Sequence, residues 1–140
     1  MEISLYLSSL ALALVIFNSL TIRVIKNSPN KVAGTVSVLI PMRNEEENVK
    51  PCLSSILQQK GLENLEVLAL DDGSTDNTQE ILARYSDSRI VVITQENLGL
   101  PRALNNGIAA ARGMYLARQD ADDISFSARL EKQLTFLDQN

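Results

Sequence analysis

From Val36 onward the chain alternates short, β-rich apolar runs with longer stretches of helical periodicity. Alternation of this kind builds βαβ units, in which crossover helices cover the faces of a parallel sheet. It predicts a Rossmann-like α/β fold with strands over residues 36–40, 65–70, 90–94 and 114–117. The first of these, Val36-Ser37-Val38-Leu39-Ile40, is almost continuously apolar, as strands buried on both faces are, and Pro41 is expected to stop it. The first helix carries Val49, Leu53, Ile56 and Leu57, with Asn48 as its cap, Pro51 harmless in its first turn and Gly61 closing it. A second helix shows Ile81, Leu82 and Tyr85 on one face. A third presents Ala103, Leu104, Ile108 and Ala111, with Gly113 as its stop signal. A last one has Ser125 or Ser127 as cap and Leu130, Leu134 and Leu137 at helical spacing. Such a sheet would end on an uncovered edge.

Residues 3–22 are uncharged and dominated by Leu, Ile, Ala, Val and Phe, close to the length needed to cross a bilayer as a helix. Ser4, Ser8, Ser9, Asn18, Ser19 and Thr21 make the run only moderately hydrophobic, which leaves a buried amphipathic helix as the alternative. Arg23, Lys26 and Lys31 follow it, so a single-pass anchor would leave the remainder facing the cytoplasm. The chain begins Met1-Glu2 without the basic start of a secretory signal. Residues 23–35 read as a polar linker, and 36–140 as the domain.

Net charge is −4, with no extended basic run, which argues against nucleic acid as a partner. Histidine is absent and Cys52 is the single cysteine. Imidazole chemistry, an internal disulfide and thiolate metal clusters are thereby excluded, leaving carboxylates, backbone amides and a bound ion.

Three strands are followed at once by polar residues: 41–44, 71–76 and 120–123. In open parallel sheets, ligands bind beyond the carboxyl ends of the strands. Asp120-Ala121-Asp122-Asp123 packs three acids into four positions, which favours a divalent cation among them. Each cluster alone has a plainer reading. Asp71 to Asp76 suits an Asx-turn with helix capping, Glu45 to Glu47 a solvated turn that compensates the helix dipole, and Asp120 to Asp123 a turn into the last helix. Together, at the ends of strands of one sheet, they point to a nucleotide crevice. A carboxylate there accepts the imide N–H of a uracil or a ribose hydroxyl, while Mg²⁺ or Mn²⁺ held by one or two carboxylates takes the diphosphate. Neither a P-loop nor Gly-x-Gly-x-x-Gly after a strand is present, so the metal must do the phosphate binding.

Four segments, in this order, resemble the nucleotide-binding half of a family 2 glycosyltransferase with the GT-A fold. They are Val36-Ser37-Val38-Leu39-Ile40-Pro41-Met42-Arg43-Asn44-Glu45, Leu70-Asp71-Asp72-Gly73-Ser74-Thr75-Asp76, Asn97-Leu98-Gly99 with Ala103-Leu104-Asn105 and Gly107-Ile108, and Gly113 to Asp123. The resemblance implies a metal-dependent, inverting transfer of sugar from a nucleotide diphosphate donor, with UDP-sugars favoured. A lipid-linked or polysaccharide acceptor would suit a membrane-anchored enzyme. It places Pro41, Arg43, Glu45, Asp72 and Asp120 at the nucleotide sugar, Asp72 meeting the base. Asp120 and Asp122 match the family's metal-binding Asp-x-Asp, with Asp123 behind them and Asp71 structural. Arg102 and Arg118 face either phosphate or solvent. Ser127-Ala128 stands where the family commonly has proline. The acidic general base and the acceptor half lie beyond Asn140 in the family, so these residues are expected to be a fragment that holds a donor without transferring it. The alternatives are a nucleotide-sugar-binding module without transfer activity and a phosphate-handling α/β domain. The latter would want a lysine beyond a later strand, and Lys132, inside the last helix, is the only one after Arg118.

Overall fold

The computed structural model describes residues 32–139. Among these residues four strands and four helices alternate: β1 Val32–Met42, α1 Val49–Leu57, β2 Leu62–Asp72, α2 Thr78–Ala83, β3 Ile90–Gln95, α3 Leu100–Ala110, β4 Tyr115–Arg118 and α4 Arg129–Asp138. The strands form one fully parallel sheet in the order β3-β2-β1-β4. Val38 lies opposite Val67 on one side and Ala117 on the other.

Successive residues of a strand face opposite sides of a sheet, and here both sides are covered. Val36, Val38, Ile40 and Met42 of β1 join Val67 and Ala69 of β2 in a core with Val49, Leu53 and Ile56 of α1, Leu82 of α2 and Leu130 and Leu134 of α4. Leu39, Leu68 and Leu70 point the other way, against Ala103 and Leu104 of α3. Leu53 and Ile56 are fully buried, each contributing about 1.5–3 kcal/mol by removal from water.

This two-sided arrangement decides where a ligand can sit. The connections through α1 and α2 run in one direction along the sheet, from β1 to β2 to β3. The connection through α3 returns past β1 to place β4 on its far side. Chain paths therefore diverge between β1 and β4, the position at which parallel α/β sheets open a crevice.

Several boundaries differ from the sequence expectation. β1 takes in Val32 to Thr35, assigned above to the linker, because Gly34 adopts φ +102 at a register shift between Val32 and Thr35, a bulge that breaks the apolar pattern without ending the strand. Pro41 does not stop β1; it pairs with Leu70. The Leu39 carbonyl accepts from the Gln119 amide, so Pro41, two residues on, turns its missing N–H to the β4 side, where the paired residues end at Leu39 and Arg118.

Asn48 occupies the α1 N-cap position, but its side chain makes no capping bond; its Nδ2 donates to Glu45 Oε2 at 2.7 Å instead. Gln58, not Gly61, caps the end of α1. Nor is Gly113 a helix stop, since α3 ends at Ala110 and a Cβ on Gly113 would lie 2.5 Å from the Ser37 amide nitrogen. Neither serine caps α4. Ala128 holds that position, while Ser125 is buried against Ser55 and Gln119. Of the leucine stripe, Leu130 and Leu134 are buried and Leu137 is 59% exposed. Residues 3–22, expected as the membrane anchor, lie outside the described residues. No helix among the described residues is long and apolar enough to cross a membrane.

Candidate functional site

At the carboxyl ends of β1, β2 and β4 a cleft of about 340 Å³ opens. All six residues singled out from the sequence line it: Pro41, Arg43 and Glu45 from the end of β1, Asp72 from β2, and Asp120 and Asp122 from the turn after β4. Asn97, Gly99, Leu100 and Ala103 complete the wall opposite and were not assigned to the site from sequence. Their signal was the polar Asn97-Leu98-Gly99 turn before α3, in which Gly99 adopts φ +85. Arg102 is exposed and does not line the cleft.

Much of the polar sequence around the cleft builds its walls. Asp71 has no solvent exposure; its Oδ1 accepts from the Ser74 amide and hydroxyl and its Oδ2 from Gln79 Nε2 at 2.6 Å. The loop so shaped is bonded to the loop after β1. Asn44, at φ 57, accepts from the Thr75 amide at 2.8 Å, and its own amide donates to Ser74 Oγ at 2.9 Å. The Glu45 amide donates to Thr78 Oγ1, while Glu46 exchanges bonds with Asp76 and Asn77. Turn-forming residues in both segments thus satisfy each other's backbone, which holds Arg43 and Glu45 at the mouth.

Asp72 is 5% exposed, and its carboxylate is engaged by the turn after β3. Oδ1 accepts from Gln95 Nε2 at 2.7 Å and the Leu98 amide at 2.8 Å; Oδ2 accepts from the Gly99 amide at 2.9 Å. Burial alone would raise its pKa, but these bonds and the Arg43 charge outweigh it, holding the carboxyl below its usual 3.8. With its amide oriented to satisfy both neighbours, Asn97 donates to Asp72 Oδ2 at 3.3 Å and accepts from Arg43 Nη2 at 2.9 Å. Gly73 permits this approach, since a Cβ there would lie 2.7 Å from the Asn97 nitrogen.

On the other wall, Asp120 Oδ1 pairs with Arg118 Nη2 at 2.8 Å, both half-exposed. No hydrogen bond among the described residues engages the exposed Asp122 carboxylate. Beneath the turn, Cys52 Sγ approaches the Asp120 carbonyl at 3.7 Å. Burial, then the charges of Asp123, Asp122 and Glu45, push the Cys52 thiol up to about 11, so three carboxylates project negative potential onto this spot.

Among the described residues no three His, Cys, Asp or Glu side chains converge into a ready-made metal cage. That donor set nevertheless fits Mg²⁺ or Mn²⁺, hard ions held by one or two carboxylates and completed by phosphate oxygens and water. Asp120 and Asp122, which both line the cleft, could hold one.

Residues 37–140 match the model of glycosyl transferase family 2. The chain belongs to that family. Among curated relatives, EpsJ of Bacillus subtilis, an uncharacterized glycosyltransferase, is 40% identical over 107 residues, 75% of this chain and 31% of its own length. WfgD of Escherichia coli, named a UDP-Glc:alpha-D-GlcNAc-diphosphoundecaprenol beta-1,3-glucosyltransferase, is 37% identical over 106 residues, 75% of this chain and 42% of its own. The chain therefore spans about a third of the length of the curated relatives it matches. Among solved structures, TarS of S. aureus in complex with UDP superposes with TM-score 0.68 at 28% identity, covering 75% of this chain and 32% of that one. A Pyrobaculum calidifontis mannosyltransferase in complex with GDP-Man and Mn²⁺ gives TM-score 0.71 at 25% identity, over 82% and 36% of the two chains. The parallel α/β core is that of GT-A glycosyltransferases.

Proposed function

We propose that residues 36–140 form the donor-binding part of an inverting, metal-dependent family 2 glycosyltransferase that takes a UDP-sugar. The observation that carries this reading is the convergence of Asp72 at the end of β2 with Asp120 and Asp122 after β4 on one cleft at the β1/β4 divergence. Pro41 and Arg43 flank the nucleotide, Asp72 accepts from the base, Asp120 lies by the ribose and metal, and Glu45 faces the sugar. When bound, Mg²⁺ or Mn²⁺ supplies charge neutralisation at the departing diphosphate. Arg118, already paired to Asp120, adds positive charge to the same wall. No carboxylate among residues 36–140 is assigned as the general base for the acceptor hydroxyl.

The solved structures of similar enzymes in complex with UDP, with UDP-GlcNAc and with GDP-Man and Mn²⁺ support the ligand class. The name of WfgD, with its diphosphoundecaprenol acceptor, supports a lipid-linked acceptor, and a polysaccharide remains within the same reading. Calorimetric titration with UDP-sugars tests it: Mn²⁺ is expected to tighten binding at least tenfold, and Asp122→Ala to abolish that gain, about 1.4 kcal/mol or more. Affinity indifferent to the metal would sink the metal-diphosphate reading.

We further propose that residues 3–22 anchor the chain as a single membrane span with the domain on the cytoplasmic side, supported by their uncharged length and the following Arg23, Lys26 and Lys31. Alkaline extraction should leave the chain with the membrane pellet; release into the supernatant would remove the anchor.

A further inference from the structure

Gln95 closes β3 and does not line the cleft, yet it is bonded to a residue that does. Its Nε2 donates to Asp72 Oδ1 at 2.7 Å, and its Oε1 accepts from Asn106 Nδ2 on α3 at 2.5 Å. The Leu98 amide donates to the same Oδ1 at 2.8 Å. A carboxylate oxygen offers two lone pairs, so Oδ1 is fully committed. Oδ2 is held firmly by the Gly99 amide at 2.9 Å and weakly by Asn97 Nδ2 at 3.3 Å. Only the acceptor direction that Asn97 occupies can change partner at small cost.

We propose that Gln95, anchored by Asn106, is a positioning residue that makes Asp72 selective for a base presenting an imide N–H, with Asn97 holding that acceptor until the base arrives. The inference rests on the nucleotide reading above and adds how the base is chosen. Uracil presents an N–H donor between two carbonyl acceptors, so the N–H replaces Asn97 at Oδ2 while Arg43 and the displaced amide offer donors nearby. Cytosine presents a bare acceptor nitrogen at the same place. Facing an ionised carboxylate whose other oxygen is locked, its N3 has no proton to give, and its N4 amino donor falls where uracil offers a carbonyl to Arg43 and the displaced amide, so it is rejected. Without the Gln95 bond, Oδ1 is partly freed, the carboxylate rotates and its single open direction is lost.

Calorimetric titration of the whole chain with UDP and with CDP, each with Mn²⁺, tests the assignment. The wild-type chain should bind UDP at least tenfold more tightly than CDP. Gln95→Leu should weaken UDP about tenfold, the scale of one hydrogen bond to a charged group, while CDP affinity holds and the Mn²⁺ enhancement is kept. Asn106→Ala, which leaves Gln95 present but unanchored, should shift the UDP/CDP ratio in the same direction by about threefold. It also keeps the proposal testable if Gln95→Leu fails to fold. A UDP/CDP ratio unchanged in both variants, or a uniform loss for both nucleotides together with the Mn²⁺ response, overturns the positioning role alone. A wild-type chain that binds neither nucleotide overturns the nucleotide reading itself.

Discussion

Glu66→Leu is expected to destabilise the domain by about 3 kcal/mol, the range for breaking a buried, hydrogen-bonded charge. Glu66 sits on β2 with its side chain 7% exposed and ties three segments together. Its Oε2 accepts from Ser37 Oγ on β1 at 2.6 Å and from the Arg112 amide at 2.9 Å, and its Oε1 accepts from Arg112 Nε at 2.7 Å. The Ser37 oxygen in turn accepts from the Gly113 amide at 2.8 Å. Leucine matches the size but leaves the Ser37 hydroxyl and the Arg112 amide without their acceptor. The Arg112 side chain is 75% exposed and returns to water, which places the cost at the lower end of that range. Because this network holds the turn entering β4, the variant should also loosen the strand that delivers Asp120 and Asp122. Urea unfolding followed by circular dichroism measures the loss; a shift worth under 1 kcal/mol would show the network to be dispensable.

The same residue makes stability depend on pH. Burial raises the Glu66 pKa, but the bonds from Ser37 and Arg112 outweigh it and hold the folded-state value below its usual 4.5. A carboxylate with a depressed folded pKa stabilises above its unfolded value and loses that contribution as pH falls through the folded one. Wild-type stability should therefore hold from neutral pH to about 5 and fall below about 4, with a shallower fall in Glu66→Leu.

How far the fold was legible follows from the same residues. Strand centres such as Val36 to Ile40 and Leu65 to Leu70 announce themselves because burial on both faces leaves them almost continuously apolar, with Ser37 and Glu66 the polar exceptions. Their ends do not, because ends are set by partners distant in sequence. Gly34 looks like a break but is a bulge within β1, and Pro41 continues the strand because its neighbour on the β4 side has already stopped pairing. Gly113 looks like a helix stop, whereas its lack of a side chain lets the turn press against the β1 backbone.

The site divides similarly. Local pattern could bring the segments 41–44, 71–76 and 120–123 to one crevice, since each follows a strand that the pattern located, while the family resemblance singled out the six lining residues within and beside them. The contacts that orient them could not, because they join positions far apart in the chain. Asp72 meets Gln95 and Gly99 only after β3 has crossed beside β2, and Asn97 reaches Arg43 only through the folded sheet. The acids themselves were chemically ambiguous: Asp71 and Asp72 are adjacent, but strand alternation sends one into the loop scaffold and the other to the cleft.

That division carries the second large expectation, that Asp71→Ala costs about 3 kcal/mol whereas Asp71→Asn costs about 1 kcal/mol. Alanine strands the Ser74 amide and hydroxyl and the Gln79 amide, three donors that converge on a carboxylate with no solvent exposure. Asparagine keeps a carbonyl oxygen for Ser74 and presents an amide where Oδ2 stood; Gln79 can then turn its own amide to offer its carbonyl, restoring the bond with donor and acceptor exchanged. Stability should thus track hydrogen bonding more than charge. Nucleotide affinity should follow the same order, because the loop that Asp71 shapes is bonded to Asn44 and Glu45 beside Arg43. Urea titration and UDP binding on the two variants separate the cases. Equal losses for alanine and asparagine would mean that negative charge, and not the bonding pattern, is what the loop requires of Asp71.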